Sequence, residues 1–306
     1  MRAVIASGYG EPGVLSVQEI TKPKIKENEV LIKVRAASLN SGDVRMRALD
    51  GGDGVKGFVS KIVIRLLVGI KKPKRIPGSV LSGEVVEVGD KVSRFKVGDE
   101  IYAMAGFSFG AFAEYCALPD KRAIALKPKK ASFEEASSIP FGGNTAMYFL
   151  RKAGTSKGKK VLIYGSTGAV GASAVQVAKY LGAEVMAVSG PDGMKLTKKL
   201  GASKVYNYKE TAIEEIKGKF DVVFDAVGKI TKAKAGHLIA EGGQYITVDS
   251  LDVAKESSSD LEELAKMFDS GKLVATIDKT FTLDEIVEAN RYVDTGRKKG
   301  SVVITH

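Results

Sequence analysis

The chain has 306 residues and a formal net charge of +11, an excess that suits nucleic acid, an acidic membrane surface or an anionic cofactor as the partner, so the charge alone requires no nucleic acid. Its length predicts two domains, and no apolar run is long enough to cross a bilayer. The single cysteine, Cys116, excludes an internal disulfide and predicts a reducing, cytoplasmic compartment.

Residues 1–122 contain short β-type runs separated by turn signals such as Val88-Gly89-Asp90. The predicted strands are residues 2–7, 30–37, 82–88, 100–104 and 113–117. This pattern is typical of a small, mostly antiparallel β domain. A predicted helix over 283–294 and a strand over 301–305 are expected to return the chain to this domain, which adds residues 281–306 to it.

Residues 123–280 change to alternating strands and helices. The apolar run 161–164 predicts a strand that is buried on both faces, followed by a helix over 169–181 and a second strand that ends at Ser189. The later predicted elements are strands at 204–207, 222–225 and 244–248 and helices at 194–200, 213–217 and 231–239. This repetition predicts an α/β fold with a doubly wound parallel sheet.

Between the first two of these strands, residues 165–171 read GSTGAVG, which is the pattern of a dinucleotide-binding turn. Gly168 is expected to let the backbone approach a pyrophosphate, and Gly171 to let the following helix pack closely on the strand. Ser166 takes the place of the usual first glycine. The alternative is any tight strand-to-helix turn of an α/β protein. The predicted pyrophosphate-binding residues are Gly165, Ser166, Thr167, Gly168, Ala169 and Val170.

Several strings occur together in a characteristic order: IPGSVLSGEVVEVGDKVSRFKVGDEIYAM at 76–104, GAFAEYCALP at 110–119, GGNTAMYFL at 142–150 and GRKKGSVVI at 296–304. With GSTGAVG, they resemble the medium-chain dehydrogenase/reductase superfamily, in its zinc-independent branch of quinone oxidoreductases and enone reductases. The resemblance implies that the β domain is GroES-like and that the second domain is a Rossmann domain.

The family's zinc positions imply that this member binds no metal. Zinc-bearing relatives have a cysteine in the segment that matches residues 38–43, a histidine that matches Ser79, and a cysteine-rich structural lobe. This sequence has Asn40-Ser41-Gly42 in the first segment and lacks the lobe, and its two histidines show no ligand spacing. No zinc is therefore expected.

The end of the second Rossmann strand indicates the coenzyme. NAD-selective sites usually have a carboxylate there, which bonds the ribose and repels a 2′-phosphate, whereas this chain has Ser189. The negative charge of Asp192, which is nearby in the sequence, does not fit a site for a 2′-phosphate. By resemblance, Lys195 and Tyr208 lie beside the adenosine phosphate, although they also suit a solvated charge and a surface ring. NADP(H) is therefore favoured over NAD(H). Lys299 matches a segment that closes over the cofactor in relatives, or else belongs to a solvated turn.

The resemblance also implies residues for the reacting end. Asn40 and Thr145 flank the nicotinamide or its ribose, and Asp43 fixes the loop that carries Asn40. The resemblance also implies that the pocket for the nicotinamide ring is lined by backbone of Ala226, Val227 and Val248. The alternative for Asn40 and Asp43 is ordinary loop capping, because both side chains readily bond their own backbone. Arg45 is a candidate to polarise a carbonyl oxygen, and Tyr9 is a candidate proton donor.

These features predict an NADPH-dependent oxidoreductase that reduces quinones or α,β-unsaturated carbonyls by hydride transfer without a metal. One alternative is a reductase of simple aldehydes or ketones. Another is a nucleotide-dependent binding protein, since some quinone oxidoreductase relatives bind RNA and the basic surplus is compatible with it, but nucleic acid is not the favoured partner.

Two segments depart from the family pattern. Residues 58–75 combine apolar and basic side chains, which predicts either a lid packed on its own domain or a basic amphipathic helix in peripheral contact with anionic lipid. Its apolar members are Phe58, Ile62, Leu66, Leu67 and Ile70, and its basic members are Lys61, Arg65, Lys71, Lys72, Lys74 and Arg75. The passage after Val248 is shorter than in relatives, where it often pairs two subunits, so a homodimer is in doubt.

Overall fold

A computed structural model of the protein describes residues 1–51, 54–250 and 252–306. The chain divides into two compact units. The first, called the β unit, comprises Met1–Pro140, Glu256–Ala265 and Ile277–His306. The second, called the α/β unit, comprises Phe141–Lys255 and Lys266–Thr276.

The described strands are β1 (Arg2–Ala6), β2 (Leu15–Glu19), β3 (Glu29–Leu39), β4 (Val80–Val88), β5 (Glu100–Met104), β6 (Tyr115–Pro119), β7 (Ala123–Leu126), β8 (Lys160–Tyr164), β9 (Glu184–Ser189), β10 (Lys204–Asn207), β11 (Phe220–Asp225), β12 (Ile239–Thr247), β13 (Ile277–Thr282) and β14 (Ser301–Thr305). The described helices are α1 (Ser41–Ala48), α2 (Gly54–Val68), α3 (Phe133–Lys152), α4 (Ala169–Tyr180), α5 (Met194–Leu200), α6 (Lys232–Ala235), α7 (Ser258–Asp269) and α8 (Ile286–Asp294).

The β unit is built on a sheet in the order β13-β14-β3-β4-β5-β7, with β6 also paired to β3. All these pairings are antiparallel except β13 with β14. The long strand β3 is mostly buried, and its Val30, Ile32 and Leu39 belong to the core of the unit. Because β14 pairs with β3, the C-terminal segment returns to the β domain as predicted.

The domain boundary differs from the one expected from the sequence. The β unit extends to Pro140, beyond residue 122, because β7 pairs with β5 and the first eight of the twenty residues of α3 also belong to this unit. Three strands were not predicted: β2, β7 and β13. They are short and are stabilised by pairing with other strands, so the local pattern gives little sign of them.

The α/β unit is built on a parallel sheet in the order β10-β9-β8-β11-β12. This order corresponds to the first five strands of the doubly wound arrangement, which confirms the predicted α/β class. Val161, Leu162 and Ile163 of β8 are fully buried, as expected for a strand covered on both faces. Within the described residues this sheet stops at β12, and the doubt about a homodimer stays a prediction.

Helix α7 lies in the stretch after Val248 that reads as polar in the sequence. Leu261, Leu264 and Met267 are buried at helical spacing, so the polar residues cover only its outer face. The predicted helix at 213–217 is a short 3₁₀ turn, Ile213–Glu215. Among the described helices, none is long and apolar enough to span a membrane.

Candidate functional site

The glycine turn joins β8 to α4 with close backbone packing. Gly165 has φ +79°, and a Cβ there would lie 2.5 Å from Cγ1 of Val227, so the loop after β11 packs directly over the turn. A Cβ at Gly171 would lie 2.1 Å from the carbonyl oxygen of Gly165. Gly171 therefore allows α4 to approach the strand end, which is the packing role predicted for it.

Gly168 differs from its neighbours because it faces open space. It is the N-cap of α4 with φ −70° and ψ 170°, and no side chain caps this helix end. A Cβ at Gly168 would meet no atom within 4 Å. The first amides of α4 are thus left for an anion, which the positive end of the helix dipole attracts. The turn fits the pyrophosphate of a dinucleotide.

Helix α3 packs against the same end of α4. A Cβ at Gly142 would lie 2.2 Å from the carbonyl oxygen of Ala169, so the two helices are in contact at the first residue of α4. Thr145 lies one turn further along α3 and is half-buried, and its hydroxyl donates to the carbonyl of Phe141 at 2.7 Å. This packing brings the segment with Thr145 to the glycine turn.

The carboxyl end of β9 carries a hydroxyl and no carboxylate. Ser189 is buried, and its Oγ donates to the carbonyl of Gly190 at 3.0 Å. A Cβ at Gly190 would lie 3.3 Å from the ring of Tyr208, and one at Gly193 would lie 2.3 Å from Cγ2 of Thr167. Ser189, Thr167 and Tyr208 are thus gathered around one loop.

At this end of the sheet Ser166 is buried, whereas Lys195 and Tyr208 are exposed. Ser166 is buried and bonds the carbonyl of Val188 at 3.2 Å and Oγ1 of Thr197 at 3.0 Å, so it fixes the turn. Lys195 is exposed in the first turn of α5, and the ring of Tyr208 is half exposed. Both are accessible to a phosphate.

Asp225 organises the loop after β11, and the sequence interpretation did not select it. It is fully buried, and its carboxylate accepts hydrogen bonds from the backbone N–H groups of Val227 (3.2 Å), Gly228 (2.9 Å) and Ile230 (3.0 Å). Its carbonyl also accepts from the N–H of Val248 at 3.1 Å. Asp225 therefore fixes the backbone around Ala226, Val227 and Val248. A carboxylate that ends a buried strand is the signal that was available.

In the β unit, Asn40 and Asp43 form a buried polar cluster with two serines. The N–H of Asn40 donates to Oδ2 of Asp43 at 2.9 Å, and Oγ of Ser79 donates to Oδ1 of Asp43 at 3.0 Å. The Asn40 side chain bonds the hydroxyl and the carbonyl of Ser38, each at 3.1 Å. The Asp43 carboxylate thus caps the start of α1, as the capping interpretation expects, whereas the Asn40 side chain bonds Ser38.

Burial raises the pKa of Asp43 to about 6, and the hydrogen bonds from Asn40 and Ser79 only partly offset this effect. The folded state therefore favours the neutral carboxyl group. Its contribution to the free energy of unfolding is complete below the ordinary pKa of 3.8 and is lost as the pH rises through about 6.

We expect the unfolding free energy of Asp43→Asn to depend less on pH than that of the wild type, by about 2 kcal/mol between pH 4 and pH 7. Asn cannot ionise, so its variant lacks this titration. Urea denaturation across this pH range measures the difference. Asp90→Asn, which changes an exposed carboxylate, serves as the control. Equal pH slopes for wild type and Asp43→Asn would contradict the assignment.

Three other predicted residues have definite partners. The hydroxyl of Tyr9 donates to the carbonyl of Gly69 at 2.6 Å, so its proton is already engaged. Arg45 is exposed, with its Nε 3.9 Å from Oδ2 of Asp50. The N–H of Lys299 donates to Oδ2 of Asp278 at 2.9 Å, and Lys299 is half-buried.

No group of three or more His, Cys, Asp or Glu side chains that could hold a metal occurs in the part of the chain that the structure describes. Ser79, which matches the histidine of zinc-bearing relatives, is bonded to Asp43.

Comparison with known proteins identifies the family. Residues 26–129 match the model of the alcohol dehydrogenase GroES-like domain, and residues 169–277 match that of the zinc-binding dehydrogenases. The chain is 35% identical to 2-methylene-furan-3-one reductase of Solanum lycopersicum, over 99% of this chain and 79% of that protein. The chain belongs to the medium-chain dehydrogenase/reductase superfamily. It is an oxidoreductase of this superfamily, as the sequence predicts.

Two more medium-chain relatives support the assignment. NADPH-dependent alkenal/one oxidoreductase of Arabidopsis thaliana is 32% identical, over 99% of this chain and 79% of that protein. The structure of the quinone oxidoreductase from Coxiella burnetii superposes with a TM-score of 0.89 at 30% identity and covers all of this chain and 99% of that one. The medium-chain fold, a GroES-like domain with a Rossmann domain, is thereby confirmed.

Proposed function

We propose that this protein is an NADPH-dependent reductase of α,β-unsaturated carbonyls or quinones that works by hydride transfer without a metal. The observation that carries the proposal is the glycine turn, where Gly168 leaves room beside the uncapped amides of α4. The names of the relatives supply the substrate class, since one acts on alkenals and enones and another on quinones.

Residues of this chain would hold the coenzyme at its pyrophosphate and at its 2′-phosphate. The amides of Ala169 and Val170 would bind the pyrophosphate, because Gly168 offers them without a side chain in the way. Ser189 would accommodate a 2′-phosphate, and Lys195 and Tyr208 would contact it. This arrangement favours NADP(H) over NAD(H), and it agrees with the coenzyme named for the Arabidopsis relative.

At the reacting end, the coenzyme supplies a hydride when bound. Thr145 and the loop fixed by Asp225 would position its nicotinamide. Within the β unit, Asp43 holds the loop that carries Asn40 through the N–H of Asn40. A conjugated acceptor suits these residues, because hydride addition leaves a delocalised oxyanion that solvent can protonate. Tyr9 is not required as the donor, since its proton bonds Gly69.

The metal-free part of the proposal rests on the donor set. Asn40-Ser41-Gly42 and Ser79 offer amide and hydroxyl groups where zinc-bearing relatives have a thiolate and an imidazole, and neutral oxygen donors bind zinc poorly. Asp43 is already bonded to Asn40 and Ser79. Metal-free activity is tested by assaying the protein before and after dialysis against a chelator.

The substrate class is tested by comparing an enone with the matching saturated ketone, with NADPH consumption followed by absorbance. We expect turnover of the enone and of a simple quinone and at most slow turnover of the ketone. Faster turnover of the ketone would replace the proposal with a reductase of simple carbonyls. Absence of NADPH consumption with every acceptor would overturn the proposed reaction.

Ser189→Asp is expected to lower the affinity for NADPH relative to NADH by about tenfold or more. The new carboxylate would repel the 2′-phosphate and accept a bond from the ribose hydroxyl of NADH. Dissociation constants for both coenzymes, measured by fluorescence titration, check this. Ser203→Asp, at an exposed serine just before β10, is the matched control. An unchanged preference would remove Ser189 from the coenzyme site.

A further inference from the structure

Helix α2 presents an apolar face to solvent. Phe58 and Leu66 are 67% and 71% exposed, and Val59 and Ile62 on the same side are also exposed. These four positions fall within an arc of about 100° around the helix axis. Ile70, just beyond the helix, is 67% exposed. This apolar face does not pack on the β unit, so the lid interpretation is wrong for these side chains.

The opposite side of α2 is the one that faces the β unit. Gly57 and Val68 are buried and Ile64 is half-buried. The end of the helix is fixed by Tyr9, whose hydroxyl bonds the carbonyl of Gly69, and by the N–H of Lys74, which donates to the carbonyl of Val68 at 3.0 Å. The helix is therefore held with its apolar face outward. The side chain of Leu67 lies outside the described part of the helix.

The exposed face is surrounded by positive charge. Residues 54–83 contain seven Lys and Arg residues and no Asp or Glu. The exposed basic residues are Lys61, Arg65, Lys71, Lys72, Lys74 and Arg75. Among the described side chains, none of these six lies within 4 Å of a carboxylate. This segment therefore accounts for much of the net charge of +11.

The same segment borders an open groove of about 640 Å³ in the β unit. Lys72, Lys74 and Arg75 line one side of the groove, and its other walls are largely apolar, with Ile5 and Phe109 among them. Asp and Glu are absent from its lining residues, all of which are described. Cationic side chains beside an apolar surface thus continue from α2 into the groove.

We propose that α2 and residues 69–75 dock the protein on a lipid bilayer that contains anionic lipids. A lipid surface offers a partner to both features: its apolar layer can contact the exposed apolar face, and its negative headgroups can bind the Lys and Arg side chains. Nucleic acid would leave Phe58, Ile62 and Leu66 without a partner. A second copy docked on the same face would bring two clusters of like charge together. The proposal does not depend on the proposed reaction.

Co-flotation of the full chain with vesicles tests this docking. Vesicles of phosphatidylcholine with phosphatidylserine are compared with vesicles of phosphatidylcholine alone, at low and at high salt. We expect the protein to float with the anionic vesicles and to dissociate at high salt, because headgroup attraction is screened. Failure to float with anionic vesicles would overturn the proposal, and so would equal flotation with both kinds of vesicle.

Two pairs of variants identify the docking surface. One double variant, Phe58→Gln with Leu66→Gln, removes apolar side chains, and the other, Lys61→Gln with Arg65→Gln, removes charge. We expect each to lower partitioning of the protein onto anionic vesicles by about tenfold or more. Their controls are Val253→Gln, at another exposed apolar residue, and Lys217→Gln with Lys219→Gln, which removes the same charge elsewhere. All these side chains are exposed, so the variants should fold, and unchanged circular dichroism checks this. Equal losses in variants and controls would contradict docking through α2.

Discussion

Gly168→Val is expected to reduce the affinity for NADPH on the order of 100-fold, which corresponds to about 2.7 kcal/mol, while the free energy of unfolding changes little. The added side chain would enter the open space beside the first amides of α4, where the pyrophosphate is proposed to bind. The extended backbone at Gly168, with φ −70° and ψ 170°, suits valine, so the fold has no reason to shift. Calorimetric titration with NADPH and urea denaturation measure the two effects.

Gly236→Val is the matched control for this variant. A Cβ at Gly236 would likewise meet no atom within 4 Å, and this glycine has a negative φ of −58°. It lies in the same unit, just before β12, whereas the glycine turn follows β8, so the two are at opposite ends of the parallel strands. We expect Gly236→Val to bind NADPH like the wild type. If Gly168→Val retained wild-type affinity, or if Gly236→Val lost as much, the pyrophosphate would have to bind elsewhere.

Gly171→Val, only three residues away, is expected to have the opposite consequence and to lower the free energy of unfolding by about 3 kcal/mol. Its Cβ would lie 2.1 Å from the carbonyl oxygen of Gly165 and 2.8 Å from Cα of Ser166, and both are backbone atoms that cannot move aside alone. Helix α4 would have to move away from β8. Urea denaturation, monitored by circular dichroism, measures the loss.

Gly171→Ala provides a graded comparison, because it adds only the Cβ and should be destabilising to a smaller extent. NADPH binding should weaken in both Gly171 variants, because a displaced α4 no longer presents its amides at the turn. A Gly171→Val protein as stable as the wild type would show that the close contact with Gly165 is not a requirement of this fold.

The glycine turn and the two central strands could be predicted because their signals are local. A buried apolar run, a GSTGAVG turn and an amphipathic helix occupy consecutive residues, and β8 and α4 were found with nearly correct bounds. Strands β7 and β13 were missed because their stability comes from pairing with β5 and β14, which are distant in sequence. Helix α7 was missed because its polar residues mask three buried apolar positions.

Residue roles were harder to predict than elements. The sequence marks Asp225 as the end of a strand, but only the folded loop shows that its carboxylate accepts bonds from the amides of Val227, Gly228 and Ile230. Conversely, Tyr9 is a candidate proton donor from the sequence, but in the structure its hydroxyl donates to the carbonyl of Gly69. Hydrogen bonds between distant residues depend on tertiary packing, which local patterns do not encode.

Whether an amphipathic helix packs inward or outward is undetermined by its sequence. Residues 58–75 suited both a packed lid and a lipid-contacting helix, since both need an apolar stripe. Burial of Gly57 and Val68, with exposure of Phe58 and Leu66, separates the two. A contact that local sequence does not encode, the hydrogen bond from Tyr9 to Gly69, fixes the end of the helix in this orientation.

The central claim, that the amides at the start of α4 bind the pyrophosphate of NADPH, is tested most directly by amide NMR. Isotope-labelled protein would be titrated with NADP⁺, with assigned resonances for residues 165–171. The account predicts that the amides of Gly168, Ala169 and Val170 shift most strongly and saturate together with the coenzyme. Saturable binding that leaves these three amides unchanged would contradict it.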